Sequence, residues 1–197
     1  GARVFALTDH DTFNGCDDAK AALPEGVAFL RSLELSCKYA GRTVHLLLYG
    51  ASGDTAELTK RLDRIRINRQ ERIRAICEKL ARHDIHIDPE PILQRAGHGS
   101  PGRPHVAKAM VEVGAVTSVQ EAFDRFLKDG GAADVPVERI SLEDGVALGH
   151  ACGARLSMAH PHMLKEHALV RAAYDELKDQ GLTGIEALYG PYGPHEQ

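Results

Sequence analysis

The apolar stretches at the start of the chain predict strands joined by a helix. Apolar residues run from Val4 to Leu7, a helix-forming segment follows from Asp17 to Ala22, and a second apolar stretch covers Val27 to Leu35. A third apolar stretch, Val44 to Tyr49, ends at Gly50. Short apolar runs of this kind are typical of buried strands in α/β proteins. We therefore expect buried parallel strands connected by crossovers.

The middle of the chain changes to a helical period. From Asp54 to about His83, apolar side chains recur every three or four residues, which predicts one long amphipathic helix of roughly 28 residues. Gly and Pro set off three shorter predicted helices, at Glu90 to Arg95, Pro104 to Val113 and Val119 to Lys128.

Strands and helices alternate again in the last third of the chain. Ser141 is expected to cap a helix, and Ala154 to Ala159 is expected to form a strand that stops at His160. A helix from Leu164 to Gln180 and a strand from Gly184 to Leu188 follow.

These patterns predict two kinds of structure in one chain. Residues 1–54 and 135–197 are expected to form an α/β body, and residues 55–134 a mainly helical insertion.

Composition limits the classes of protein that fit this organisation. The chain has 197 residues, of which 43% are hydrophobic and 26% charged, enough to bury a sizeable core. No apolar stretch approaches the roughly 20 residues that cross a bilayer, so we expect a cytoplasmic protein without a membrane partner. The formal net charge of −4 argues against duplex DNA as a partner, because any nucleotide must then be met by a local cluster of Arg and His. The four cysteines show no C-x-x-C pairing, which argues against a zinc ribbon.

Four side chains that can bind metals are expected at one edge of the strands. His10 ends the first strand, Glu34 the second and His160 a later one, while His45 starts the third. Imidazole and carboxylate together suit Zn, Mn or Fe, and such clusters place ions about 3.5 to 4 Å apart for phosphate-ester hydrolysis. Any one of these residues is more often a hydrogen-bonded structural group. Burying all four together is costly unless something compensates their polarity, which favours a metal site over four separate structural roles.

The motifs around these residues resemble those of the PHP (polymerase and histidinol phosphatase) family. The matching segments are Thr8-Asp9-His10-Asp11 with Gly15, Ser32 to Ser36, Val44 to Tyr49, and Ala159-His160-Pro161. The resemblance implies an α/β fold, a distorted (β/α)7 barrel with a mainly helical inserted domain.

The resemblance also implies the ligands of the metal site. They are His10, Glu34, His45 and His160, and they bind divalent ions, with Mn²⁺ expected and Zn²⁺, Fe²⁺ or Mg²⁺ as alternatives. Asp9 and Asp11 flank His10 and are candidates to orient it; Asp11 could equally cap the next helix.

The helical middle further resembles a bacterial branch of that family. This branch removes the 3′-phosphate from nucleoside 3′,5′-bisphosphates and trims short RNA from its 5′ end. It implies a water activated by the metal ions and no protein nucleophile. The residues expected to bind the nucleotide are Asn68, Arg69, Arg72, Arg103 and His105. For Arg69 and Arg72, a solvated helix face is the alternative, although Arg69 lies within the apolar stripe, where an unpaired charge is costly.

Two features of the family pattern are missing. Members begin with an H-x-H strand and finish with a D-x-H motif, and neither is present here. We therefore expect a chain truncated at both ends, with the trinuclear site present only in the full-length protein. Two alternatives remain open at this point, a histidinol-phosphate phosphatase and a non-catalytic PHP-like module.

Overall fold

The computed structural model describes residues 1–97 and 99–188, which form two compact units. The α/β unit combines Gly1–Leu62 with Arg139–Gln197. The helical unit is Asp63–Glu138. The structure is therefore a mixed α/β fold with a separate, mainly helical unit.

The described strands of the α/β unit form two sheets rather than one closed barrel. Parallel strands β1 and β2 form the smaller sheet, and the larger sheet has the order β5-β3-β4-β6-β7. An isolated parallel bridge pairs His10, in the segment after β1, with Glu34 of β3. The strands are β1 Val4–Leu7, β2 Ala28–Arg31, β3 Leu33–Tyr39, β4 Arg42–Tyr49, β5 Ile140–Ser141, β6 Arg155–Ala159 and β7 Leu182–Ile185.

The prediction of parallel strands is wrong for the centre of the larger sheet. β4 pairs antiparallel with both β3 and β6, while β6 with β7 and β3 with β5 are parallel. A two-residue turn joins β3 to β4, with positive φ at Ala40 (48°) and Gly41 (76°). Both central residues of this kind of hairpin turn need positive φ. Asn-Gly is the usual sequence signal for such a turn, and Ala-Gly is a weaker one. The segment Val27 to Leu35, predicted as one strand, is broken at Ser32 between β2 and β3.

The first strand is parallel, as predicted, but it is not buried. β1 pairs with β2 in the register Val4 to Ala28, and yet Val4 is 53% and Phe5 40% exposed. Within the described residues β1 has β2 as its strand neighbour on one side only. The apolar run therefore marked a strand correctly but not its burial.

The described helices follow the sequence pattern closely. They are α1 Cys16–Ala21, α2 Ala56–Ala81, α3 Pro89–Ala96, α4 Arg103–Glu112, α5 Val119–Ala122, α6 Leu142–Ala151 and α7 His167–Leu177. The predicted long helix is confirmed as α2, with 26 residues. The cap is also confirmed, since the Ser141 hydroxyl accepts a hydrogen bond from the Asp144 N–H at 3.0 Å. None of the described helices has the length and apolar character needed to cross a membrane.

Two predicted helices are shorter than expected. The segment Val119 to Lys128 holds α5 and then a π-helical turn, Phe123–Leu127. The segment Leu164 to Gln180 is interrupted at Lys165, whose φ of 59° is incompatible with a right-handed helix, so α7 begins at His167.

Each unit has its own apolar core. In the α/β unit, α6 packs on the sheet, where its Gly145 and Gly149 face core side chains at close range. The helical unit buries a cluster that includes Ile76, Met110 and Leu127. The expected domain boundaries after residues 54 and 134 remain a prediction.

Candidate metal centre

Three of the four predicted metal ligands lie within a few ångströms of one another. Ligand atoms of His10, Glu34 and His45 all lie within 4.8 Å of each other. His160 joins them, since its Nε2 lies 2.9 Å from Glu34 Oε1 and 3.2 Å from His45 Nδ1. The structure therefore brings all four side chains together in the α/β unit.

The pairing of the strands explains this convergence. Glu34 lies opposite Leu47, so His45, two residues earlier in β4, is its diagonal neighbour on the same face. His45 in turn lies opposite Ala159, and His160 follows directly after β6. The expected strand ends are corrected for two of the residues: Glu34 is the second residue of β3, and His45 lies within β4.

The Glu34 carboxylate is the centre of the group. Its Oε1 is 2.9 Å from both His45 Nδ1 and His160 Nε2, and its Oε2 is 4.0 Å from His10 Nε2. Burial alone raises the pKa of Glu34, but the hydrogen bonds from His160 and His45 outweigh it and hold that pKa well below its usual range. Glu34 is therefore an anion at neutral pH.

The side chains line an open cavity. His45, Glu34 and His160 are largely buried, whereas His10 is half exposed. Burial and the charges of Glu186 and Glu34 raise the pKa of Tyr49 at the cavity wall. The cavity has a volume of about 530 Å³. It is lined by Thr8, His10, Glu34, His45, Leu47, Tyr49, Ala159, His160, His162, Met163 and Glu186.

This donor set fits a divalent transition-metal ion. Three imidazole rings and one carboxylate present nitrogen and oxygen donors to one cavity, and the His10–His45 and His45–His160 ring centroids are 4.8 and 4.9 Å apart. Imidazole with carboxylate suits Zn, Mn and Fe. The rings come from three segments of the chain, the one after β1, strand β4 and the end of β6, so the fold brings these donors to one cavity.

Asp11 supports the centre through the backbone of β3. Its buried carboxylate accepts a hydrogen bond from the Ser36 N–H at 2.7 Å, and its own N–H donates to the Glu34 carbonyl at 3.0 Å. The alternative role as a helix cap is wrong, since α1 has Gly15 at its N-cap and no side-chain cap. Asp9 is exposed, and its carbonyl accepts from the Glu34 N–H at 3.0 Å.

Sequence reasoning missed Glu186. Its carboxylate accepts a hydrogen bond from the His160 N–H at 2.7 Å and lies at the cavity wall. Glu186 lies just after β7, the parallel neighbour of β6, so it emerges at the same edge of the sheet as His160. The sequence predicted a strand from Gly184 to Leu188, so Glu186 was expected in the middle of a strand and not at its end.

In the helical unit, the predicted nucleotide-binding residue Arg72 is not on a solvated helix face. Its side chain is only 11% exposed. Its Nε donates to the Val135 carbonyl at 2.6 Å, and an Nη2 contacts the Asp134 carboxylate at 3.5 Å. The alternative interpretation of an exposed charge is therefore wrong for Arg72.

Arg103 lies in the same cluster of charges. Its Nη1 donates to the Leu127 carbonyl at 2.8 Å and to Asp129 at 2.7 Å, and it is 4.0 Å from Asp134. Lys79 donates to the Asp134 carbonyl. Arg72 and Arg103 thus share the carboxylates of Asp129 and Asp134, and Lys79 adds a third positive charge beside the Asp134 backbone; sequence reasoning singled out neither carboxylate.

The remaining predicted nucleotide-binding residues lie near the start of α4 or on α2. Nη1 of Arg69 lies 3.9 Å from the position that a Cβ atom on Gly102 would take. Nδ1 of His105 accepts from the Gly102 N–H at 3.2 Å, which caps α4. Asn68 lies half-buried on α2. The structure thus brings Arg69 to the Gly-Arg-Pro-His segment.

Comparison with curated proteins finds relatives at modest identity. No protein-family model matches the chain. It is 30% identical over 162 residues to a Haemophilus influenzae protein named 5′-3′ exoribonuclease, covering 82% of this chain and 59% of the relative. It is 29% identical over 201 aligned positions to the 3′,5′-nucleoside bisphosphate phosphatase of Chromobacterium violaceum, covering 96% of this chain and 67% of the relative. The chain thus spans about 60% of the length of the first of these relatives.

Two solved structures share the fold. One, a Chromobacterium violaceum protein named as an amidohydrolase with bound sulfate and no metal, has a TM-score of 0.87 at 27% identity, covering 98% of this chain and 69% of that one. The other, from Bifidobacterium adolescentis and named as a candidate metal-dependent phosphoesterase, has a TM-score of 0.84 at 24% identity, over 100% of this chain and 70% of that one. At that identity the second likeness shows the fold alone.

Proposed function

We propose that the complete protein is a metal-dependent phosphomonoester hydrolase of the PHP family. The observation that carries the proposal is the convergence of His10, Glu34, His45 and His160 in one cavity. The names of the relatives, a nucleoside bisphosphate phosphatase and 5′-3′ exoribonucleases, support hydrolysis of phosphate esters. The two sheets are proposed to be part of the family's distorted barrel.

The four converging side chains are proposed to hold divalent cations, with Mn²⁺ as the expected ion. Bound cations supply Lewis-acid polarisation of a phosphoryl group and lower the pKa of water. Glu34 fits the role of a shared ligand, because it is anionic at neutral pH and contacts His45 and His160 at once. A neutral imidazole offers a metal ion the lone pair of its unprotonated ring nitrogen, so a ring that binds the ion gives up its hydrogen bond to Glu34 at that atom.

The arginines of the helical unit are proposed to bind a phosphate group of the substrate. Arg72 and Arg103 are fixed by carbonyl and carboxylate partners, so little side-chain freedom is lost when an anion binds. With Lys79, they outnumber the carboxylates of Asp129 and Asp134 by one charge. The proposed substrate is a nucleoside 3′,5′-bisphosphate, hydrolysed at its 3′-phosphate, or a short oligonucleotide trimmed from its 5′ end.

The test uses the complete protein and three substrates: phosphate release is measured from adenosine 3′,5′-bisphosphate and from histidinol phosphate, and mononucleotide release from a short RNA. We expect release from the bisphosphate, loss of turnover with a chelator, and recovery with Mn²⁺. Preferential release from histidinol phosphate would identify the alternative phosphatase. Chelator-resistant turnover would contradict metal dependence, and no turnover on any substrate would favour a non-catalytic module.

A further inference from the structure

The backbone of His160 has an unusual conformation for its position. Its φ and ψ are 27° and 64°. This positive φ places the backbone in the left-handed region, which residues other than Gly seldom adopt. The next residue is Pro161, and a residue before proline favours extended backbone. The turn that follows holds the His160 carbonyl, which accepts from the Met163 N–H at 3.2 Å, while the His160 N–H is held from outside this segment.

Glu186 makes two contacts with the end of β6. Its backbone N–H donates to the Met158 carbonyl at 2.8 Å, which continues the β6–β7 pairing. Its side chain turns back, so that Oε2 accepts from the His160 N–H at 2.7 Å. A hydrogen bond from an N–H to a carboxylate is shorter and stronger than one between neutral groups.

The side-chain position of His160 depends on this backbone conformation. Its Nε2 reaches both Glu34 Oε1 and His45 Nδ1, at 2.9 and 3.2 Å. With extended backbone at His160, the ring would leave β6 in a different direction and miss these partners. The hydrogen bond between the His160 N–H and the Glu186 carboxylate therefore helps to keep the His160 ring within reach of Glu34.

We infer that Glu186 is a positioning residue of the metal centre: its carboxylate holds the strained backbone of His160 and so presents the imidazole to the cation. The inference rests on the proposed function only in treating His160 as a ligand. Glu186 acts here as an acceptor for an N–H group, which is a role that a neutral amide can also fill.

The test compares Glu186→Ala with Glu186→Gln. The glutamine keeps an oxygen that can accept from the His160 N–H and removes the charge, whereas the alanine removes both. Glu25→Ala, at an exposed turn, is the matched control. Mn²⁺ and Zn²⁺ binding are measured by titration calorimetry, and the amide exchange and imidazole resonances of His160 are measured by NMR on the metal-free protein.

We expect Glu186→Ala to bind the metal about 10- to 100-fold more weakly, as is usual when the partner of a ligand is removed. Glu186→Gln should lose much less affinity than Glu186→Ala, because it keeps the acceptor oxygen, and Glu25→Ala should stay close to the unmodified protein. In the metal-free protein the His160 amide should be protected from exchange in the unmodified protein and in Glu186→Gln, and its imidazole resonances should shift more in the alanine variant than in the glutamine variant.

Several results would overturn the inference. They are wild-type affinity in Glu186→Ala, equal weakening in both variants, or an unprotected His160 amide in the unmodified protein. If the alanine variant does not fold, the His160 amide exchange in the unmodified protein and in the glutamine variant still tests the role of Glu186. If the unmodified protein binds no metal, the proposed function fails, while the NMR measurements judge the role of Glu186 separately.

Discussion

Single residues hold the candidate metal centre together through the backbone as well as through side chains. Asp11 ties β3 to the segment after β1 by accepting from the Ser36 N–H and donating to the Glu34 carbonyl. It does so with a φ of 54°, a conformation that Asp tolerates better than most residues. The acidic residues beside His10 stand out in the sequence, but their partners, which come from β3, do not.

Replacing Asp11 should destabilise the protein. Asp11→Ala leaves the buried Ser36 N–H without its acceptor and places Ala at positive φ, so we expect the free energy of unfolding in urea to fall by about 2 to 4 kcal/mol. Asp84→Ala is the matched control, because Asp84 also has positive φ (60°) but is exposed. Asp11→Asn should keep most of the stability. Equal losses in Asp11→Ala and Asp84→Ala would contradict this role.

Arg103 is expected to act on substrate affinity. In Arg103→Ala we expect KM for the nucleoside 3′,5′-bisphosphate to rise by about 10- to 100-fold, the effect of losing a charge-assisted hydrogen bond to phosphate. KM for a nucleoside 3′-monophosphate, which lacks the second phosphate, should change less. Arg95→Ala removes an exposed ion pair with Glu112 in the same unit and serves as the control. An unchanged KM in Arg103→Ala would remove it from the substrate site.

At the scale of elements, periodicity identified the helices better than the sheet. The helical repeat along α2 and the Ser cap of α6 are local signals, and the structure confirms both. The antiparallel pairing of β3 with β4 depends on a turn at Ala40 and Gly41 that carries a weak sequence signal. Strand register depends on long-range contacts, so sequence alone could not show that Glu34 and His45 are diagonal neighbours.

Helix α6 approaches the sheet through a glycine. A Cβ atom on Gly149 would lie 2.5 Å from Leu156 Cδ2 and 3.2 Å from Leu48 Cδ2. We expect Gly149→Ala to lower the free energy of unfolding by about 1 to 3 kcal/mol, although Ala is the better helix former. Leu156→Val in the same chain should recover part of that loss by making room. A more stable Gly149→Ala protein would show that α6 does not pack this closely.

The hydrogen bonds of Glu121 at the start of α5 should make the stability of the protein depend on pH in the acid range. The hydroxyl and N–H of Thr117 and the guanidinium of Arg125 lower the pKa of Glu121 from 4.5 to about 2. Because this pKa is lower in the folded state, the stabilisation is present above about pH 4.5 and is lost as pH falls towards 2. Thermal unfolding of Glu121→Gln should therefore differ from the unmodified protein at pH 7 and converge with it near pH 2. A constant difference across that range would contradict the assignment, and Glu138→Gln controls for loss of a surface carboxylate.

At the scale of the whole molecule, the chemistry is gathered by the α/β unit from segments far apart in the chain. His10, Glu34, His45 and His160 come from both sequence segments of that unit. The motif residues themselves were visible in the sequence. Glu186 and Asp134 were not, because their importance comes from the partners that folding provides.

The most direct test of the central claim is a crystal structure of the complete protein grown with Mn²⁺, with the ions located by anomalous scattering. We predict anomalous peaks in the cavity, within bonding distance of Glu34 and of imidazole nitrogens of His10, His45 and His160. Crystals of Glu34→Gln should lose most of that signal. A cavity without a peak in the unmodified protein, or ions bound only by other residues, would contradict the account.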